Sequence, residues 1–272
     1  MNFKKFKKVS VIGSAILLMS VLMNGTAMMA QSIDATNNDL SASEIFAKAQ
    51  ANYSSLASYS DEGRVVTSLD GATSVTTFTT RLARANFYLI EWQQQGGSDV
   101  AGNTGVQDVW SSGADNFLER GYGLQNETTP DIALDEAGCF SSGAAATVPM
   151  TFFNLQWKDE WSGSESGEVR QSDERVGGVD CFVLKSEAQG QTKTLWIGKQ
   201  DFLIHQVQTE MSAEGMQALA ARVTNDNLEI ISSLHGLIST EMHTHLILNS
   251  PFLRSDFVPS RTYFVSASDE DN

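Results

Sequence analysis

The segment from Glu168 to Gln208 constrains the fold most. Four runs, Glu168–Asp173, Val179–Glu187, Thr192–Ile197 and Phe202–Gln208, carry the β-branched and aromatic residues that suit strands. Turns at Gly177-Gly178, Gln189-Gly190 and Gly198–Asp201 separate them. Links this short exclude the long crossover that parallel neighbours need, so the runs form an antiparallel meander.

The same logic extends toward the N-terminus. Glu62–Leu69 and Thr73–Leu82 flank Asp70-Gly71, a pair suited to a tight hairpin. Asn86–Gln94 alternates, with Tyr88, Ile90 and Trp92 on one side, and these large apolar side chains point to the interior. Val106–Trp110 and Phe117–Arg120 form a further hairpin. Helical signals stand between the strand groups. Ser41 with Glu44 makes a capping box, and Ile45, Ala49, Tyr53 and Leu56 then form one apolar stripe. Thr129-Pro130 opens a second helix that Gly138 can end, and Ser141–Leu155 holds a short third one. Ser212 starts another, with Met216, Leu219, Ala220 and Val223 on one face. Leu237–Leu248, Phe252–Phe257 and Arg261–Val265 read as strands. Consecutive strands with helices between groups of them mean an α+β fold around a large antiparallel sheet. Residues 41–266 read as a single domain, preceded by a polar leader over 31–40 and followed by an acidic tail over 267–272.

Residues 1–30 have the parts of a secretory signal: Lys4, Lys5, Lys7 and Lys8, then an apolar stretch Val9–Met23, then small residues. That stretch is shorter than the ~20 residues a membrane span needs. Cleavage after Ala27 or Ala30 gives a mature chain with no transmembrane segment, placed in the periplasm or secreted. The formal charge of the whole chain is −15, and removing four lysines leaves the body more acidic still. A nucleic-acid groove is excluded on that ground, since phosphate contact needs clustered Lys and Arg. The two cysteines, Cys139 and Cys181, are expected to form one disulfide in an oxidising compartment.

Phosphate-binding glycine loops, paired Cys-x-x-Cys spacings, helical His-Glu-x-x-His and the Gly-x-Ser-x-Gly elbow are all missing from the sequence. No cofactor is implied. Glu241, His243 and His245 alternate along one predicted strand, so a metal-holding triad, and with it a metal-dependent enzyme, is one reading. A polar outer strand face is the other, and the expectation is that the protein needs no metal. The strand aromatics Tyr88, Trp92, Trp110, Phe182 and Trp196 belong either to a filled core or to an apolar hollow.

The order of elements resembles the outer-membrane lipoprotein carrier superfamily, the LolA/LolB-like periplasmic proteins. The residues that carry this are Tyr53–Tyr59 at the end of the first helix and Arg84–Trp92. They continue with Val176–Leu184 (Val-Gly-Gly-Val-Asp-Cys-Phe-Val-Leu), Thr194–Ile204 (beginning Thr-Leu-Trp-Ile-Gly) and Asn249–Phe252 leading into Asp256–Pro259. The resemblance implies a half-barrel: one strongly curved antiparallel sheet with helices covering its concave face. It implies an exported, non-catalytic binding or carrier protein for a lipid, an acyl chain or a lipid-modified protein. It also implies a basic residue near the mouth, for which Arg84 is the candidate. On the concave face the ligand-lining set is expected to be Tyr88, Ile90 and Trp92 with Phe182, Leu184, Leu195 and Ile197. An envelope interaction or sensor module of similar fold is the alternative. The chain is expected to be a monomer.

Overall fold

The computed structural model describes residues 40–96, 105–119, 123–155, 169–188, 190–220 and 234–260. The signal, most of the leader, Val223–Ile231, Arg261–Val265 and the acidic tail lie outside them.

The chain runs α1 (Ala42–Ser55), β1 (Ser58–Leu69), β2 (Ala72–Ala83), β3 (Phe87–Gly96), β4 (Gln107–Ser112), β5 (Asn116–Glu119) and β6 (Leu124–Glu127). Then come α2 (Pro130–Phe140), α3 (Thr147–Phe153), β7 (Val169–Arg170), β8 (Glu174–Val176), β9 (Val179–Ala188), β10 (Gln191–Gly198) and β11 (Ile204–Ser212). α4 (Ala213–Ala220), β12 (Gly236–Leu248) and a 3₁₀ turn at Arg254–Phe257 complete it. All strands join one 12-stranded antiparallel sheet in the order β6-β5-β4-β3-β2-β1-β12-β11-β10-β9-β7, with β8 also on β9. The sheet is open rather than closed, and with its helices it is an α+β half-barrel.

Local chemistry explains the elements. The Ser41–Glu44 capping box forms as expected: Glu44 N donates to Ser41 Oγ at 3.3 Å, and Ser41 N donates to Glu44 Oε2 at 2.8 Å. β1 and β2 are linked by Asp70 (φ 49°) and Gly71 (φ 83°), a two-residue turn with both φ positive, which matches the twist of the strands it joins. α2 begins with Pro130 in its first turn, but Gly138 does not end it. Gly138 is buried mid-helix and the helix continues to Phe140, because tertiary packing there outweighs a weak breaker. Phe252–Phe257, expected as a strand, instead holds the 3₁₀ turn Arg254–Phe257.

The core lies between the inner face of the sheet and α1, α2 and α3. Ile45, Ala49 and Tyr53 of α1, Ala133, Leu134 and Ala137 of α2, and Val148 and Phe152 of α3 pack there against inward residues of nearly every strand. The small residues at these helix positions let the helices lie close to the sheet. A second, small cluster of Cys181, Val183 and Trp196 sits on the opposite face of β9 and β10.

That second cluster corrects one expectation. No disulfide joins Cys139 to Cys181. Cys181 alternates with Phe182 and so points away from the helices, while Cys139 rides on α2, which packs against β4, β5 and α3. The apolar character of both faces of β9 hid this direction in the sequence. Burial pushes the Cys181 thiol up to about 11.

Candidate functional site

The seven residues expected to line a hollow are all in the main core. Tyr88, Ile90, Phe182 and Ile197 are fully buried, and Trp92, Leu184 and Leu195 nearly so. Tyr88, Ile90 and Trp92 share one side of β3, as their spacing requires, and Phe182 with Leu184 and Leu195 with Ile197 share the same inner face farther along the sheet. Two members keep a polar handle. The Tyr88 hydroxyl donates to Asn116 Oδ1 at 2.9 Å, and the Trp92 indole N–H is buried with no hydrogen-bond partner. The helices therefore rest directly on this set.

What fastens the helices is Arg84, at the end of the β2–β3 hairpin. Its Nη2 donates to the Tyr53 carbonyl at 2.6 Å, its Nε to the Leu56 carbonyl at 2.9 Å and its Nη1 to the Phe152 carbonyl at 2.7 Å. The guanidinium also lies 4.0 Å from the centre of the Phe152 ring. One planar fork thus ties the last turns of α1 and α3 to the sheet through carbonyls at the helix ends, of which Tyr53 O also accepts from Leu56 N at 3.3 Å. The Asn52 side chain donates to the Asp201 carbonyl, and Ile204 N donates to the Tyr53 hydroxyl at 3.1 Å, which pins α1 to the far half of the sheet.

The centre of the inner face is not apolar. β1 places Tyr59, Asp61, Gly63 and Val65 inward, and β12 adds Glu241 and His243. The Asp61 and His243 side chains have no exposed surface, and Glu241 retains 6%. Asp61 Oδ2 accepts from the Tyr59 hydroxyl at 2.8 Å and lies 2.6 Å from His243 Nδ1. His243 Nε2 is 3.1 Å from Glu241 Oε1, close enough for charge attraction but not aligned as a hydrogen bond. Thr147 of α3 donates to Glu241 Oε2 at 2.7 Å, so the covering helix touches the cluster directly. The Ser142 and Thr76 hydroxyls meet 3.1 Å apart beside it. Gly63 has a structural reason to be glycine: a side chain there would collide with the Phe78 ring, which packs edge-on against His243 at 5.5 Å. Burial opposes the charged imidazolium, but the Asp61 hydrogen bond and the Glu241 carboxylate outweigh it and hold His243 up to about 10. Burial beside Asp61 keeps the Tyr59 hydroxyl well above the usual phenol range.

The metal triad read as an alternative is not assembled. Glu241 and His243 turn inward, but a bulge separates His245 from them. The β1–β12 register shifts between Ser60 and Glu62, and His245 has φ 52°. His245 is left on the surface, 3.0 Å from Glu62 Oε2, while Leu246 packs on the core. Strict alternation from Glu241 to His245 was the assumption that failed. Among the described residues no group of three or more His, Cys, Asp or Glu is placed to hold a metal ion. Sequence reasoning missed Tyr59, Asp61 and Thr147. The available signal was Asp61 itself, an acidic residue at an inward position of the alternation Tyr59-Asp61-Gly63-Val65.

On the opposite face of β1, β2, β3 and β12 lies a shallow cleft of about 650 Å³. Its lining is mixed: Glu62, Arg64 and Glu91 stand beside Val106 and Met242.

No protein-family model and no curated protein matches the chain. Solved structures similar to it are LolA-superfamily, DUF1329 and related proteins. A DUF1329 family protein from Desulfovibrio piger is 14% identical, with 79% of this chain and 95% of that chain covered at a TM-score of 0.34. LprF from Mycobacterium bovis is 8% identical, with 77% and 93% covered at 0.40. A LolA superfamily protein from Nitrosomonas europaea is 11% identical, with 81% and 98% covered at 0.31. At such identities and TM-scores the likeness carries no argument about the chemistry, which is drawn from the residues.

Proposed function

We propose that the chain is an exported, non-catalytic binding or carrier protein for an apolar chain, such as a lipid, an acyl group or a lipid-modified protein. The ligand enters between the helices and the inner face of the sheet. The observation that carries this is the Arg84 clasp. The helices over the largest apolar surface are tied at the rim by hydrogen bonds from one half-exposed side chain to backbone carbonyls, contacts that water can replace. Lifting the helices offers Tyr88, Ile90, Trp92 and their neighbours to a ligand, and each buried CH₂ of that ligand contributes about 0.8 kcal/mol. These residues are buried beneath the helices, so a ligand that reaches them replaces helix contacts.

The acidic body, with few clustered cations, supports an exported carrier over a nucleic-acid binder. Among the described residues, no helix is long and apolar enough to cross a membrane. The outer cleft favours a second reading, an envelope interaction or sensor module that docks a partner on β1, β2, β3 and β12. Lipid extraction of the purified protein followed by mass spectrometry separates the two. A long-chain species at close to one equivalent supports the carrier. A protein partner captured stoichiometrically, without lipid and lost on Arg64→Glu, supports the module.

A further inference from the structure

We propose that Asp61, Glu241 and His243 form the head-group subsite of this same ligand site, and that they select long-chain molecules bearing a primary ammonium group. The inference rests on the helix-opening reading above and names the ligand class.

A carrier for plain hydrocarbon has no use for charge beneath its lid, because buried charge is costly unless it is paired. Here two carboxyl groups face one imidazole, so the cluster is one cation short of balance. No Lys or Arg forms an ion pair with Asp61 or Glu241 among the described residues; their ionic partner is His243. Asp61 Oδ1 and Glu241 Oε1 are both buried without a hydrogen-bond partner. Glu241 Oε2 is occupied only by Thr147, a residue of the covering helix α3. When α3 lifts, that oxygen is released. The open cluster then presents three carboxylate oxygens in need of a donor. An ammonium group carries three N–H donors, no acceptor and one positive charge, as does a lysine head. A carboxylate head is repelled, a hydroxyl supplies one donor and no charge, and a trimethylammonium supplies charge and no donor.

The surroundings also give the chain a path. Phe78 packs on His243 at 5.5 Å and is paired with Trp92 in the β2–β3 register. A chain whose head sits at Asp61 and Glu241 therefore runs across Phe78 toward Trp92, Ile90 and Tyr88. Tyr59 closes the cluster on the other side by donating to Asp61 Oδ2.

The test uses the mature protein and a neutral fluorescent probe, N-phenyl-1-naphthylamine, displaced at pH 7 by twelve-carbon chains below their micelle concentrations. Dodecylamine is expected to displace the probe at a concentration at least tenfold lower than dodecanol, dodecyltrimethylammonium or dodecanoate. Glu241→Gln is expected to bring dodecylamine to within twofold of dodecanol, both measured on the variant. Asp61→Asn is the second variant, for use if Glu241→Gln fails to fold by circular dichroism. Equal displacement by the amine and the alcohol in the wild type overturns the subsite and leaves the carrier reading standing, and that comparison needs no variant. A preference that survives a folded Glu241→Gln also overturns it. Failure of the probe to bind, or of every chain to displace it, overturns both.

Discussion

The inner face of the sheet has two regions of opposite chemistry under the same helices. Its flanks, from β3 through β5 on one side and β9 through β11 on the other, hold residues such as Ile90, Leu118, Phe182 and Ile197. Its centre, where β1 meets β12, holds Asp61, His243 and Glu241. The flanks are stabilised by area removed from water, which is nondirectional and insensitive to pH. The centre is stabilised by a specific arrangement of charges whose members are costly to bury alone. Apolar flanks alone need only a cover; a charged centre also fixes where the cover sits, because Thr147 reaches Glu241.

The largest effect should come from the centre. His243→Ala leaves two buried carboxyl groups facing each other and is expected to destabilise the fold by about 3–5 kcal/mol in denaturant titration. His245→Ala, two residues on but exposed at the bulge, should fall within about 0.5 kcal/mol of wild type. Equal losses would break the distinction between the two histidines.

The pH dependence follows from the same group. His243 is held up to about 10 in the fold, against 6.5 for a free imidazole. Its contribution is full below about pH 6.5 and is lost as pH rises through about 10. Thermal stability of the wild type should therefore fall between those values, with a slope that His243→Ala removes. A slope unchanged in the variant would assign it to other groups.

At the rim, Arg84→Met keeps much of the side-chain length and removes three hydrogen bonds. A loss of about 1.5–3 kcal/mol is expected, with faster uptake of an apolar probe than in wild type. A destabilised variant with unchanged uptake would make Arg84 structural only. On the flank, Ile90→Val should cost about 0.5–1.5 kcal/mol at every pH, since a lost methyl group titrates nothing. The smallest effect concerns Cys139 and Cys181. Thiol counting under denaturing, non-reducing conditions should give two, with Cys181 slow to react natively because burial raises its thiol to about 11.

Period-two patterning made the flanks legible in the sequence. Alternation together with uniformly large apolar side chains points Tyr88, Ile90 and Trp92 inward, and they are inward. The Asp70-Gly71 hairpin and the Ser41–Glu44 box were equally readable, because both are written in adjacent residues. The centre was not. Asp61 and His243 are 182 positions apart, and only the β1–β12 pairing brings them together. The bulge at His245 is a matter of register, set by the partner strand rather than by any local signal, so the alternation that placed Glu241 and His243 on one face misplaced His245. The direction of Cys181 was hidden in a strand that is apolar on both faces. The resemblance singles out Arg84 as the basic residue near the mouth, but its work as a clasp depends on carbonyls from two helices distant in sequence.

Uptake of an apolar chain by the inner face is measured most directly by titration of wild type and Ile90→Asp with N-phenyl-1-naphthylamine. Ile90 is fully buried at the middle of the β3 row. Wild type should bind the probe saturably, and a variant shown to be folded by circular dichroism should lose that binding. A folded Ile90→Asp that binds as well as wild type, or a wild type that binds neither the probe nor any long-chain lipid, would contradict it.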